Sequence, residues 1–119
     1  METLDEFDSL LLRVINETLR YALGEINTRI VFDYLEKNSC PFLEIPQKLD
    51  VFSLGLRHLM GTGRGQILGA GPILEKTIAE IFCRKLGMEF RESGPVALAD
   101  YINNLRAVYR NREVKVLEG

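Results

Sequence analysis

GTGRGQILGAGPILEKTIAEIFCRKLG, residues 61–87, decides the fold of this 119-residue chain. Five of the ten glycines lie in its first eleven residues, and the rest reads as one strongly marked helix. Gly71-Pro72 supply an N-cap and a first helical residue whose φ is already set. Leu74, Ile78, Ile81 and Phe82 share a face, with Ile73 and Leu86 beside it. Lys76–Glu80 and Glu80–Arg84 are spaced to pair on the wet side. Arg84 and Lys85 suit the C-terminal dipole, and Gly87 stops the helix. Caps, periodicity and charge agree here, which predicts the central helix of a helical core.

The glycines ahead of it suggest a phosphate cradle, but each known pattern fails at a definite position. A P-loop needs Gly-Lys followed by Ser or Thr, and no glycine here precedes a lysine in that way. The dinucleotide fingerprint needs a third glycine where Leu68 and Leu74 stand, and a strand before it. A helix start at Pro72, with Arg64 nearby, could still receive an anion. A joint between two packed helices is the simpler reading.

Upstream, Thr3-x-x-Glu6 reads as a capping box that starts a helix near residue 4. Leu4, Phe7, Leu11, Val14, Ile15 and Leu19 form its inner face, widened by Leu10, Leu12 and Leu23. Gly24 ends it. A second helix over 25–37 places Ile26, Ile30, Tyr34 and Leu35 inward with Val31 alongside, and Asn38, Ser39 and Pro41 close it. Pro46 limits residues 42–50 to a short helical turn or bent segment. Asp50 reads as the N-cap of a helix from Val51 to Met60, weakened by Gly55 by about 1 kcal/mol. Its inward residues are Val51, Phe52, Leu56 and Leu59.

Downstream, Met88–Arg91 alternates and reads as extended. Ser93-Gly94-Pro95 opens a last helix with the stripe Leu98, Tyr101, Ile102, Leu105, Val108 and Tyr109. Residues 114–117 either pair with 88–91 as a two-stranded ribbon or fray. No repeat or linker interrupts the chain. The prediction is a single all-α domain over 1–119, about five helices packed as one orthogonal bundle.

Composition narrows function further. Charged residues make up 27% and net charge is −2, so no global basic field draws in nucleic acid or anionic membrane. Residues 1–20 carry five acidic side chains against Arg13 and Arg20, while over residues 101–115 Arg106, Arg110, Arg112 and Lys115 oppose only Glu113. These opposed ends read most simply as solvated. The chain has two cysteines, Cys40 and Cys83, and one histidine, which argues against a zinc site or a disulfide framework. Cys83 reads as a buried helix thiol and Cys40, in a loop, as the accessible one. No leader pattern opens the chain and no apolar run approaches ~20 residues, so a cytoplasmic location without membrane insertion is expected.

Residues 43–60 invite comparison with a helix-turn-helix. Ile45 and Leu49 would anchor its first helix; Ser53, Arg57 and His58 would lie exposed on the second, with Arg64 on a wing-like loop. Those four are the candidate nucleic-acid contacts, against an acidic balance that gives little counterion release. His58 lacks a nucleophile or carboxylate at an interpretable spacing, so no catalytic residue is assigned. Tyr101, Leu105 and Tyr109 either close the core or form a dimer seam, since tyrosine is enriched at interfaces. No cofactor, metal or small-molecule substrate is expected.

LGAGPILEKTIAEIFCRKLGMEF and the upstream IVFDYLEKNSCPFLEIPQKLDVFSLGLRHLMG together resemble the Nitrosopumilus output domain, a family of small archaeal helical domains. The shared pattern is a helix ending in Y-L-x-K, a phenylalanine-anchored helix and glycine, then I-L-E-K-x-I with a K-L-G ending. It covers about residues 5–90. Gly61–Gly65 is longer than the family's loop, and the last helix lies outside it. The resemblance implies a role in archaeal signalling, as an output module, and carries no catalytic residues. The function expected is a non-enzymatic signalling or protein-interaction module that self-associates; the alternative is a DNA-binding transcriptional regulator using residues 43–60.

Overall fold

Asp5 caps the first helix, its carboxylate accepting a hydrogen bond from the Asp8 N–H at 2.7 Å, and Thr3 of the expected capping box lies outside the described residues. The computed structural model describes residues 4–61, 63–64, 67–68, 70–90 and 97–118. Helix α1 (Glu6–Lys37) is broken at Gly24, whose φ of 83° and ψ of 168° no helix accommodates, so it works as two limbs. Asn27 and Thr28 donate back to the Leu23 and Gly24 carbonyls at 3.1 and 2.7 Å across the break. The first limb buries Phe7, Leu11, Leu12, Val14, Ile15 and Leu19, as its periodicity predicts.

The second limb is rotated from expectation. Thr28, Val31 and Leu35 face inward, whereas Ile26 and Ile30 are exposed and Tyr34 is half-buried. Two apolar stripes compete on this limb, and the Gly24 break sets which one meets the core.

Ser39, at φ 63°, ends α1 in a left-handed turn, and the Cys40 N–H reaches back to the Leu35 carbonyl at 2.8 Å. That turn folds Cys40 inward, so its thiol is fully buried rather than accessible. A 3-10 helix (Phe42–Gln47) then contains Pro46, and one residue, Lys48, separates it from α2 (Leu49–Met60). Lys48, not Asp50, occupies the N-cap position, and it contributes no capping side chain. Leu49, Phe52, Gly55 and Leu56 form the buried face of α2. Gly55 faces α1: a Cβ there would stand 2.8 Å from Leu35 Cδ2, so that side chain would have to shift, and in ordinary contact with Tyr34.

Strands β1 (Gly63–Arg64) and β2 (Ile67–Leu68) pair antiparallel, Gly63 opposite Leu68 and Arg64 opposite Ile67. Among the described residues the two-stranded ribbon is therefore here. Residues 114–117 belong instead to α4 (Leu98–Glu118), so the expected pairing with 88–91 does not form. Four residues of alternation are too few to tell a strand from the end of a helix. Residues 91–96, including the expected helix start at Ser93–Pro95, lie outside the described residues.

Helix α3 (Ala70–Lys85) starts one residue before the expected Gly71 cap and buries Leu74, Ile78, Ala79, Phe82 and Cys83. Its end matches the sequence reading: Gly87 has φ 73° and Met88 N–H bonds the Cys83 carbonyl at 3.0 Å. The four α-helices converge on one core, an all-α bundle in which Phe7 meets Phe82 edge-on at 4.8 Å. From α4, Leu98 and Ile102 enter this core, Tyr101, Leu105 and Tyr109 pack against it, and Val108 remains exposed. Among the described residues, no helix is long and apolar enough to cross a membrane.

Candidate functional site

Three constellations of side chains stand out; the first is satisfied within the chain, and the second leaves one buried oxygen, Glu75 Oε1, without a hydrogen-bond partner among the described residues. The first lines a groove of about 900 Å³ between the start of α1, the 3-10 helix and α4. At its floor Arg106 donates to Asp8 Oδ1 at 2.6 Å and to the Pro46 carbonyl at 3.3 Å. Gln47 donates to the other Asp8 oxygen at 3.0 Å. The guanidinium carbon also lies 4.9 Å from the centre of the Phe7 ring. Both charged side chains are nearly buried, and every Asp8 oxygen has a donor. Arg110 lies 3.9 Å from Asp5 at the rim. The acidic start and basic end of the chain are thus not merely solvated; they clamp α1 to α4. Sequence reading noted both charge blocks, but a separation of 98 residues left nothing local to join them.

The second constellation sits where α2 meets α3. Arg57 Nε donates to Glu75 Oε2 at 2.8 Å, and Glu75 is buried. Gly71 makes this junction tight, since a Cβ there would stand 2.9 Å from Arg57 Cα. Its N–H bonds the Gly61 carbonyl at 3.1 Å. The start of α3 therefore spends an N–H on the glycine loop and has a buried carboxylate one turn further on, a poor setting for an anion.

The nucleic-acid candidates are dispersed by the same geometry. Arg57 is drawn to α3, while its neighbour His58 turns to α1 and stacks on Tyr34 at 5.5 Å with a 17° tilt. Ser53 is half-buried, and its Oγ has no hydrogen-bond partner among the described residues. Arg64 lies on β1, and its side chain is outside the described ones. Between those flanks α2 presents Asp50 and Leu54 outward, one acidic and one apolar. The preceding element is a 3-10 helix joined through one residue, so 43–60 lacks the two α-helices and turn of a helix-turn-helix.

The third constellation is a ridge along α1 and α2. Ile26, Leu54 and Ile30 are 78%, 69% and 51% exposed. Four-residue spacing puts Ile26, Ile30 and Tyr34 in line on α1 and Leu54 and His58 in line on α2. The Tyr34–His58 stack joins the two lines. Periodicity marked Ile26, Ile30 and Tyr34 as an apolar face but assigned it to the inside. The candidate seam on α4 is less open: Tyr109 lies 5.5 Å from Phe7 and Tyr101 lies 5.7 Å from Phe90.

No family model matches the chain, and no curated protein or solved structure matches it either.

Proposed function

We propose that this chain is a non-enzymatic helical module that acts by protein–protein contact through the Ile26–Ile30–Tyr34–His58–Leu54 ridge. The observation that supports this is the exposure of three large aliphatic side chains, Ile26, Ile30 and Leu54, on two helices joined by the Tyr34–His58 stack. Single exposed aliphatics are ordinary on a protein surface, whereas a contiguous band of them marks an interaction site. The polar constellations do not compete for that role, because their charges are spent on holding helices together. The signalling role implied by the resemblance to output domains fits a module that works by contact, and is proposed on that footing.

Site-specific photo-crosslinking in cells tests the reading. A photoreactive residue at Leu54 or Ile26 should give discrete adducts that Ile30→Glu removes. The same probe at Arg84, on the exposed flank of α3, should give none. Equal labelling from all three positions would defeat the proposal.

A further inference from the structure

The charge pattern beside the ridge specifies what covers it. Glu25, Arg29, Asp33 and Lys37 follow one another at four-residue intervals on the second limb of α1, with alternating sign. All four are exposed, and among the described residues none takes part in an ion pair despite the i,i+4 spacing. Their row runs immediately beside the Ile26–Ile30–Tyr34 row, as adjacent i±4 ridges of one helix.

We propose that the partner on this ridge is a second copy of the chain, docked antiparallel about a two-fold axis that crosses the exposed face of the limb at the height of residue 31. This rests on the contact function proposed above and names its partner. The order minus, plus, minus, plus reads plus, minus, plus, minus from the other end. An antiparallel copy therefore sets Glu25 against Lys37, Arg29 against Asp33, and the reverse pairs by symmetry, which is the self-complementarity an isologous interface requires. A parallel copy would set each charge against its own kind, which repels.

The hydrophobic geometry agrees with the same axis. Ile30 is exposed one residue from that height, so the two Ile30 side chains approach each other across the axis. Ile26 lies at the level of the aliphatic stem of Lys37 in the other copy, which can cover it while the ammonium reaches Glu25. Packing of i±4 ridges into matching grooves is the commonest way two helices cross. One limb of about thirteen residues spans about 20 Å, so this contact falls below the ~800 Å² per partner of a standard interface. The dimer is accordingly weak and reversible.

Sedimentation equilibrium up to millimolar concentration, at low salt, tests the arrangement with charge-reversed variants. Wild type should approach dimer mass as concentration rises. Arg29→Asp and Asp33→Arg should each weaken association by about tenfold or more, because two like-charge contacts replace two opposite ones. The double variant R29D/D33R should restore it, and an equimolar mixture of the two single variants should form a heterodimer. A wild-type chain monomeric at millimolar concentration overturns the proposal. So does a dimer indifferent to the reversals, or a double variant as weak as the singles. If crosslinking at Leu54 finds another protein while the chain stays monomeric, the contact function stands and the self-partner falls. All substituted side chains are exposed, and an unchanged melting temperature shows that each variant folds.

Discussion

Arg106 makes two hydrogen bonds and a ring contact, and removing it leaves a specific debt. It supplies Asp8 with one of its two donors and the Pro46 carbonyl with another, in a setting largely closed to water. Breaking a buried pair from one side costs about 3 kcal/mol or more, because the remaining charge stays buried without compensation. Arg106→Met should lower the urea midpoint by that measure. Adding Asp8→Asn should recover part of the loss, since no charge is then left unpaired. The double-mutant cycle should give a coupling of about 1–3 kcal/mol, and strict additivity would show that the pair contributes nothing as a pair.

Cys40 makes a second argument at the same scale. Burial raises its thiol above the ordinary value, with Glu44 and Asp50 adding to the shift and Lys48 opposing it. The unfolded chain therefore loses this proton first as pH rises. Its contribution to stability is complete below the unfolded thiol's pKa and declines as pH climbs through the folded one. Thermal melts should show an alkaline fall in stability that is shallower in Cys40→Ala. Iodoacetamide should modify Cys40 in the native protein far more slowly than in urea.

At the scale of elements, two helix ends solve one problem with different residues. Both α1 and α3 close with an N–H five residues on bonding back to a carbonyl, at Cys40–Leu35 and Met88–Cys83. In α3 the left-handed residue is Gly87; in α1 it is Ser39, at φ 63°. A side chain in that region costs about 1 kcal/mol that glycine avoids. Ser39→Gly should therefore stabilise the chain by up to about 1 kcal/mol, and Gly87→Ala should destabilise it by about as much, both read as shifts in melting temperature. The contrast also shows why α3 was so legible. Gly87, Arg84, Lys85 and a single apolar stripe all announce the same helix. The second limb of α1 was not, because Ile26–Ile30–Tyr34 and Thr28–Val31–Leu35 are rival stripes. Only the Gly24 break, a tertiary fact, chooses between them. The ridge that carries the proposed function was visible as a pattern and invisible as a surface.

The whole molecule is flatter than a sphere of its length would be, with axes of 48, 38 and 22 Å. Its radius of gyration of 14.8 Å exceeds the ~13.5 Å typical of this length. A flattened body encloses less core per residue, which is consistent with a helix face left in contact with solvent. It also makes the attachment of α4 depend on few ties. Leu98 and Ile102 enter the core, Tyr109 approaches Phe7, and Arg106 and Arg110 bind the acidic start of α1. Once Arg106 is lost, the packing of Leu98, Tyr101, Ile102 and Leu105 remains at the start of α4, since Tyr109 and Arg110 lie on the turn beyond it. Helix α4 should then open as a unit of its own, below the free energy of global unfolding. In Arg106→Met, amide exchange over residues 103–110 should accelerate by about tenfold or more relative to wild type, ahead of any change around Phe52 and Ile78. Uniform acceleration across all helices would show that α4 and the core unfold together. In that case the charge clamp would act on global stability alone, and the acidic and basic ends would have no separate hold on the last helix.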